Sequence, residues 1–239
     1  MFLELAVALV AAFFTAILSS VAGFGGATLL LPVFVALFGP RDAVAVLTVS
    51  QLVSNGSRAW FNREQVVRPV VGWFALGAVP AAVVGGILFA SAPLAALSRI
   101  IGVVLLGLVL WRRFKPAGLH PSLRAFTGVG VVSGFGSALV GSLGPLTAPF
   151  FLAYGLTKRA YIGTEAASAT VMHITKLIVY GGASVLAPAS VAVGLSLAPA
   201  TLAGTWIGTR LLDRIPARVF LVLVEAGLVV AGTLLIVRG

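Results

Sequence analysis

An all-α integral membrane protein, a helical bundle of two inverted repeats with about five hydrophobic segments each, is the fold class this sequence predicts. Three observations predict it. Hydrophobic residues make up 60% of the 239 positions and charged residues 9%, and the mean hydropathy of +1.14 lies far above that of a soluble chain. The uncharged runs approach the roughly 20 residues that a helix needs to cross a hydrocarbon core about 30 Å thick, and no alternating ten-residue strands of a barrel are present. Landmark residues also recur at half the chain length. Gly23 and Gly26 return as Gly141 and Gly144, Pro32 as Pro149, Gly39 as Gly155, Thr48 as Thr164, Pro80 as Pro199, Gly85 as Gly204 and Arg99 as Arg218, at separations of 116 to 119.

The segments follow in order. Phe2 to Ala22 resembles a secretory signal at Ser20-Val21-Ala22, but it carries Glu4 and no Lys or Arg before its apolar stretch, so it reads as a retained span. Phe24 to Phe38, Ala43 to Phe61, Val70 to Ala90 and Leu94 to Trp111 complete the first set, and their counterparts run from Leu123 to Val237. The polar stretch RRFKPAGLHPSLR, Arg112 to Arg124, is the linker. It divides the chain into repeats over 1–115 and 123–239, joined by a cytoplasmic stretch at 116–122.

Charge sets orientation. With that linker cytoplasmic, counting span by span puts Arg63, Arg68, Lys158, Arg159, Arg210, Arg214 and Arg218 on the same side, while the opposite loops carry only Arg41 beside Asp42, Arg99 and the uncharged GGASVLAPAS. An odd number of crossings per half follows, so the halves run in opposite senses, the plan of secondary transporters that bind substrate near the midplane. Segments 24–38 and 143–155 are short, and each is either a full crossing or half of a re-entrant hairpin. The net charge of +10 belongs to loops and helix ends, so it indicates topology and no nucleic-acid partner. A multi-pass protein of a cell membrane, the bacterial inner membrane by expectation, is the resulting localisation, and a homodimer is an assembly such a bundle allows.

The stretch SVAGFGGATLLLPVF places Gly23, Gly25 and Gly26 around Phe24 and then Pro32 inside an apolar run. A Gly costs about 1 kcal/mol against Ala in a helix interior and a Pro about 3, so the helix is broken here. A break in lipid leaves backbone groups that protein or a water-filled cavity must satisfy. The half-helix beyond it presents N–H groups and the positive end of its dipole, which suit an anion. Gly141, Ser142 and Gly144 of GSLGPLTAP form the counterpart. Close helix packing is the other role open to these glycines.

The glycine cluster with its proline, GFGGATLLLP, followed by GPRDAVAVLT and echoed as GSLGPLTAP and GLTKRAYIGT, resembles the sulfite exporter TauE/SafE family over essentially the whole chain. The resemblance implies a two-repeat membrane protein that exports small sulfur-containing or organic anions. Ser142 and Leu143 depart from the family pattern where glycine is frequent.

Polar residues in spans complete the candidate site. Thr48, Gln51, Asn55 and Arg58 form one stripe at spacings of three and four. The matching helix carries Thr164, Glu165, Ser168, His173 and Lys176. Lys176 is the expected counter-charge for an anion, with hydroxyls and amides binding its oxygens. Glu165 and His173 are candidates for proton coupling, since a histidine titrates near neutral pH. Eight residues, about 12 Å of helix, separate the two, so each needs another partner; for Glu165 the alternative is a surface pair with Lys158 and Arg159. Arg58, Arg63, Arg99, Arg210 and Arg218, with Trp60, Trp73, Trp111 and Trp206, read as anchors at span ends.

The chain has no cysteine, no G-x-x-x-x-G-K-[ST] and no metal-ligand or paired-carboxylate cluster. No catalytic residue, cofactor or metal is therefore expected. The function predicted is a secondary transporter, an exporter of a small anion such as sulfite or an organosulfonate, working by alternating access. A passive anion channel and a noncatalytic membrane assembly subunit are the alternatives.

Overall fold

A computed structural model describes residues 2–23, 26–113, 121–156 and 158–211 of the chain. Among these, the regular structure is entirely helical: α1 (Phe2–Ala22), α2 (Gly26–Phe38), α3 (Pro40–Phe61), α4 (Arg68–Ser91), α5 (Leu94–Arg113), α6 (Ala125–Val140), α7 (Gly144–Ala153), α8 (Lys158–Gly182), α9 (Pro188–Ser196) and α10 (Ala198–Leu211). A short 3-10 turn, Arg63–Gln65, links α3 to α4. The expected last segment, with Arg214 and Arg218, and the linker residues 114–120 lie outside the described residues.

Among the described residues, three stretches are long and apolar enough to span a bilayer: Leu3–Val21, Arg68–Ser91 and Pro188–Leu211. Their outer faces leave large apolar side chains uncovered, among them Leu3, Phe14, Leu76, Ile87, Leu195 and Leu202. Such a surface suits lipid and not water. Trp60 and Trp206 sit under the guanidinium groups of Arg63 and Arg210, 4.8 and 3.7 Å from ring centroid to carbon, as interfacial anchors do.

The short helices are short for a reason visible in their residues. Helix α2 has 13 residues, and α7 has 10. At 1.5 Å per residue these reach roughly 20 Å and 15 Å, less than the thickness of a hydrocarbon core. Each starts directly after a glycine-marked break and carries a proline, Pro32 or Pro149, inside it. Neither is long enough to cross such a core as one straight helix.

The helix matching α4 departs from expectation. Pro80 is absorbed within a continuous α4, whereas the segment 188–211 is divided at Leu197 into α9 and α10. Pro199 stands just after this break; it has no N–H to offer and its ring crowds the carbonyl four residues back.

Packing exchanges partners between the halves. Helix α4 lies along α6, and α10 lies along α1. The backbones of α4 and α6 touch: a Cβ at Gly77 would run into the Thr127 carbonyl, and one at Gly130 into that of Phe74. Such small-residue contacts are how membrane helices gain van der Waals attraction where lipid supplies no hydrophobic drive. Gly208 meets Ile17 and Ser20 of α1 as Gly85 meets Phe135 and Ala138 of α6. The glycine that matches Gly85 in packing is thus Gly208, one turn beyond Gly204.

Helices α3 and α8 cross at the centre and run in opposite directions. Asn62, past the end of α3, packs on Gly163 near the start of α8. Asp42 at the start of α3 accepts a hydrogen bond of 2.8 Å from Ser190, beyond the end of α8. Apolar clusters flank this pair, one containing Leu31, Phe34, Leu47 and Val140, the other Phe74, Phe126, Phe151 and Tyr161.

Candidate functional site

Helix α1 ends at a left-handed residue. Gly23 takes φ 80, and its amide donates to the Ser19 carbonyl at 2.8 Å. Only glycine adopts this conformation without cost, and the ring of Tyr161 occupies the space a Cβ would need. The end of α6 repeats the arrangement 118 residues on, with Gly141 at φ 85 and its amide 2.8 Å from the Ser137 carbonyl.

A helix that stops inside the bundle leaves carbonyls without partners. Two buried cations supply them. Arg58 Nη1 donates to the carbonyls of Ser19 (3.2 Å) and Gly23 (3.0 Å). Lys176 Nζ donates to the Gly141 carbonyl (3.0 Å) and the Ser137 hydroxyl (3.3 Å), and that hydroxyl also donates to the Gly141 carbonyl (3.1 Å). Arg58 and Lys176 are themselves 118 residues apart.

Arg58 is therefore not an anchor at a span end. It is 3% exposed, with Nη2 bonded to the Asn55 side chain and Nη1 lying 3.4 Å from Oε2 of Glu165. Glu165 is 7% exposed and faces Arg58, while Lys158 and Arg159 are at the surface; the surface-pair alternative for Glu165 is corrected accordingly.

A small cavity of about 30 Å³ lies beside Arg58, room for a water or two. The first residues of both short helices form part of its wall: Gly26 and Ala27 of α2, and Gly144 of α7 with the preceding Ser142. Two helix starts thus present the positive ends of their dipoles to one space. Gln51, Asn55 and Arg58 come from α3, Glu165, Ser168 and His173 from α8. Nδ1 of His173 and Nε of Arg58 are buried without a hydrogen-bond partner, an arrangement that calls for a polar guest.

The remaining predicted residues sit elsewhere. Lys176, fully buried, is not on the cavity wall; its ammonium is held at the end of α6 by the Gly141 carbonyl and the Ser137 hydroxyl. Thr48 turns its hydroxyl to the Val44 carbonyl (2.7 Å). The Thr164 hydroxyl accepts from the Val67 amide (2.9 Å) and so holds the loop into α4. Gly23 and Gly141 shape the helix ends behind the cavity. Phe24 and Gly25 lie outside the described residues.

At the start of α7 the Gly144 amide donates to Ser142 Oγ at 3.4 Å, and the Leu146 and Thr147 amides donate to the Leu143 carbonyl, while Pro145 has no N–H. The amides of Gly144, Leu146 and Thr147 are thus engaged locally, and the Ser142 hydroxyl stands on the cavity wall beside the start of the helix.

Sequence reasoning missed Phe74, Ser133, Thr147, Phe151 and Met172 on the wall. Nothing in their local sequence distinguishes them from packing residues. For Arg58 a signal existed: it shares the stripe of Gln51 and Asn55, and it matches Lys176 at the separation that relates Gly23 to Gly141.

Comparison with known proteins agrees with this architecture. The family described as Sulfite exporter TauE/SafE matches residues 8–235, nearly the whole chain. The chain belongs to that family, one of membrane transporters. No curated protein and no solved structure matches.

Proposed function

We propose that this TauE/SafE family member is a secondary transporter that exports a small oxyanion, sulfite or a related sulfur-containing anion or organosulfonate, and that the cavity beside Arg58 is its substrate site. One observation carries the reading: a buried guanidinium and the starts of two short helices meet at one polar cavity. A cation, two helix dipoles and neutral hydroxyl and amide groups are the recognition set for an oxyanion. The family's printed description supports sulfite as the substrate class.

Alternating access is supported by the way the halves are joined. The matched helices α3 and α8 run oppositely, and each half packs its neighbour's helices along α4–α6 and α1–α10. We read this as two inverted repeats, over 1–115 and 123–239, with the site at their interface. Opening of this cavity to one side of the membrane and then to the other is the movement the reading requires. Glu165 and His173 are the groups assigned to proton coupling, a multi-pass bacterial inner-membrane location fits the apolar helices, and a homodimer is the proposed assembly.

The test is flux in liposomes containing the purified protein, screened with sulfite, sulfate, thiosulfate, sulfonates and carboxylates, with and without a pH gradient. Saturable flux with counter-flow of an unlabelled anion is expected, abolished in Arg58→Ala. Flux that never saturates assigns a channel, and no flux for any anion assigns an assembly role.

A further inference from the structure

The cavity wall holds one group that an anion site does not need. Beside the guanidinium of Arg58, the helix starts at Gly26 and Gly144 and the neutral Gln51 and Ser168, it also carries the carboxyl of Glu165. An ionised carboxylate only accepts hydrogen bonds. Its Oε2 is buried with no hydrogen-bond partner, and Arg58 Nη1 at 3.4 Å offers attraction in place of a formed bond.

Among the described residues, the titratable and charged groups around it are few. From α3 there is Arg58. From α8 there are Tyr161, whose buried hydroxyl has no partner, His173, whose Nδ1 has none, and Lys176, held by the Gly141 carbonyl. Helix α4 brings Phe74, α6 brings Ser133 and α7 brings Thr147 and Phe151, none of which is charged.

A guest whose every oxygen is an acceptor sets a lone pair against Oε2 when it docks on Arg58. A guest that keeps one acidic O–H donates that proton to Oε2, while its other oxygens accept from Arg58. We propose that Glu165 is a specificity-determining residue, selecting oxyanions that carry a proton over those that carry none. The inference rests on the cavity being the anion site, and it names the charge form that site takes. Sites built around a hydrogen bond to a substrate hydroxyl discriminate strongly against analogues that lack it, because the buried partner is left unpaired.

The experiment is equilibrium binding to the purified full-length protein at mildly acidic pH, where sulfite and selenite carry one proton and sulfate and selenate none. Wild-type protein should bind the protonated pair at least about 100-fold more tightly. Glu165→Gln keeps the shape and replaces one acceptor oxygen with a donor, and it should narrow that ratio to within about tenfold. Thermal unfolding of the variant checks that it folds; if it does not, the wild-type ratio decides alone. Equal affinities for sulfite and sulfate in wild-type protein, or a preference that a folded Glu165→Gln leaves unchanged, overturn the proposal while leaving the anion site standing. Absence of binding for all four anions overturns both.

Discussion

Arg58 and Lys176 hold equivalent places in the two halves, each at the broken end of the first helix of its half, each donating to the carbonyl of a left-handed glycine. What they do beyond that differs. The guanidinium has five donors in a planar fork, so Arg58 bonds Ser19 and Gly23 with one nitrogen, meets Asn55 with another and still borders the cavity. The ammonium of Lys176 is a compact group, and its bonds to Gly141 and Ser137 place it behind the wall. The same backbone need is met in both halves, but only the arginine side has a cation with a second face to offer. The asymmetry of the site lies in this choice of cation.

The largest effect is expected from exchanging the two chemistries. Arg58→Lys retains a positive charge but should bind the Gly23 carbonyl as Lys176 binds Gly141, leaving the cavity without its cation; anion flux in liposomes should fall roughly 100-fold. Undiminished flux would mean that charge alone, and not the fork, is what the site uses. Lys176→Met should do the reverse. It should lower stability in detergent by about 1–3 kcal/mol, since the Gly141 carbonyl loses its buried partner, while the sulfite affinity of the surviving folded protein stays near wild type. A large affinity loss at unchanged melting temperature would return Lys176 to the anion site.

A smaller contrast separates the glycines. Gly23→Ala and Gly141→Ala each put a side chain into left-handed backbone, at a cost of about 1–2 kcal/mol. Gly23→Ala should cost more, because its added carbon meets the Tyr161 ring, whereas at Gly141 it meets the mobile end of Leu47. Thermal unfolding of both, and of each paired with Tyr161→Ala, checks the order; the difference should shrink when the ring is removed.

Much of this architecture is legible locally. The first segment, read as Phe2 to Ala22, is the helix Phe2–Ala22, and the break before Gly26 is marked by glycines that no helix interior favours. The stripe of Gln51, Asn55 and Arg58 is an arithmetic of helical spacing. The role of Arg58 was less legible, because Trp60 and Arg63 follow it and make the neighbourhood look like a span end. Pro80 and Pro199 look alike in sequence, yet only the segment holding Pro199 is divided. Glu165 has no charged neighbour within reach on its own helix that would reveal its partner; Arg58 arrives from α3.

Hydropathy, the short helices and the breaks before Gly26 and Gly144 were determined by the sequence itself, since each depends on residues within a turn or two of one another. Which cation faces the cavity, and which is consumed in holding a helix end, was decided only by the tertiary structure. The carbonyls that claim Arg58 and Lys176 lie 35 residues away along the chain, and in an apolar interior an unpaired backbone carbonyl recruits whatever donor the fold brings beside it.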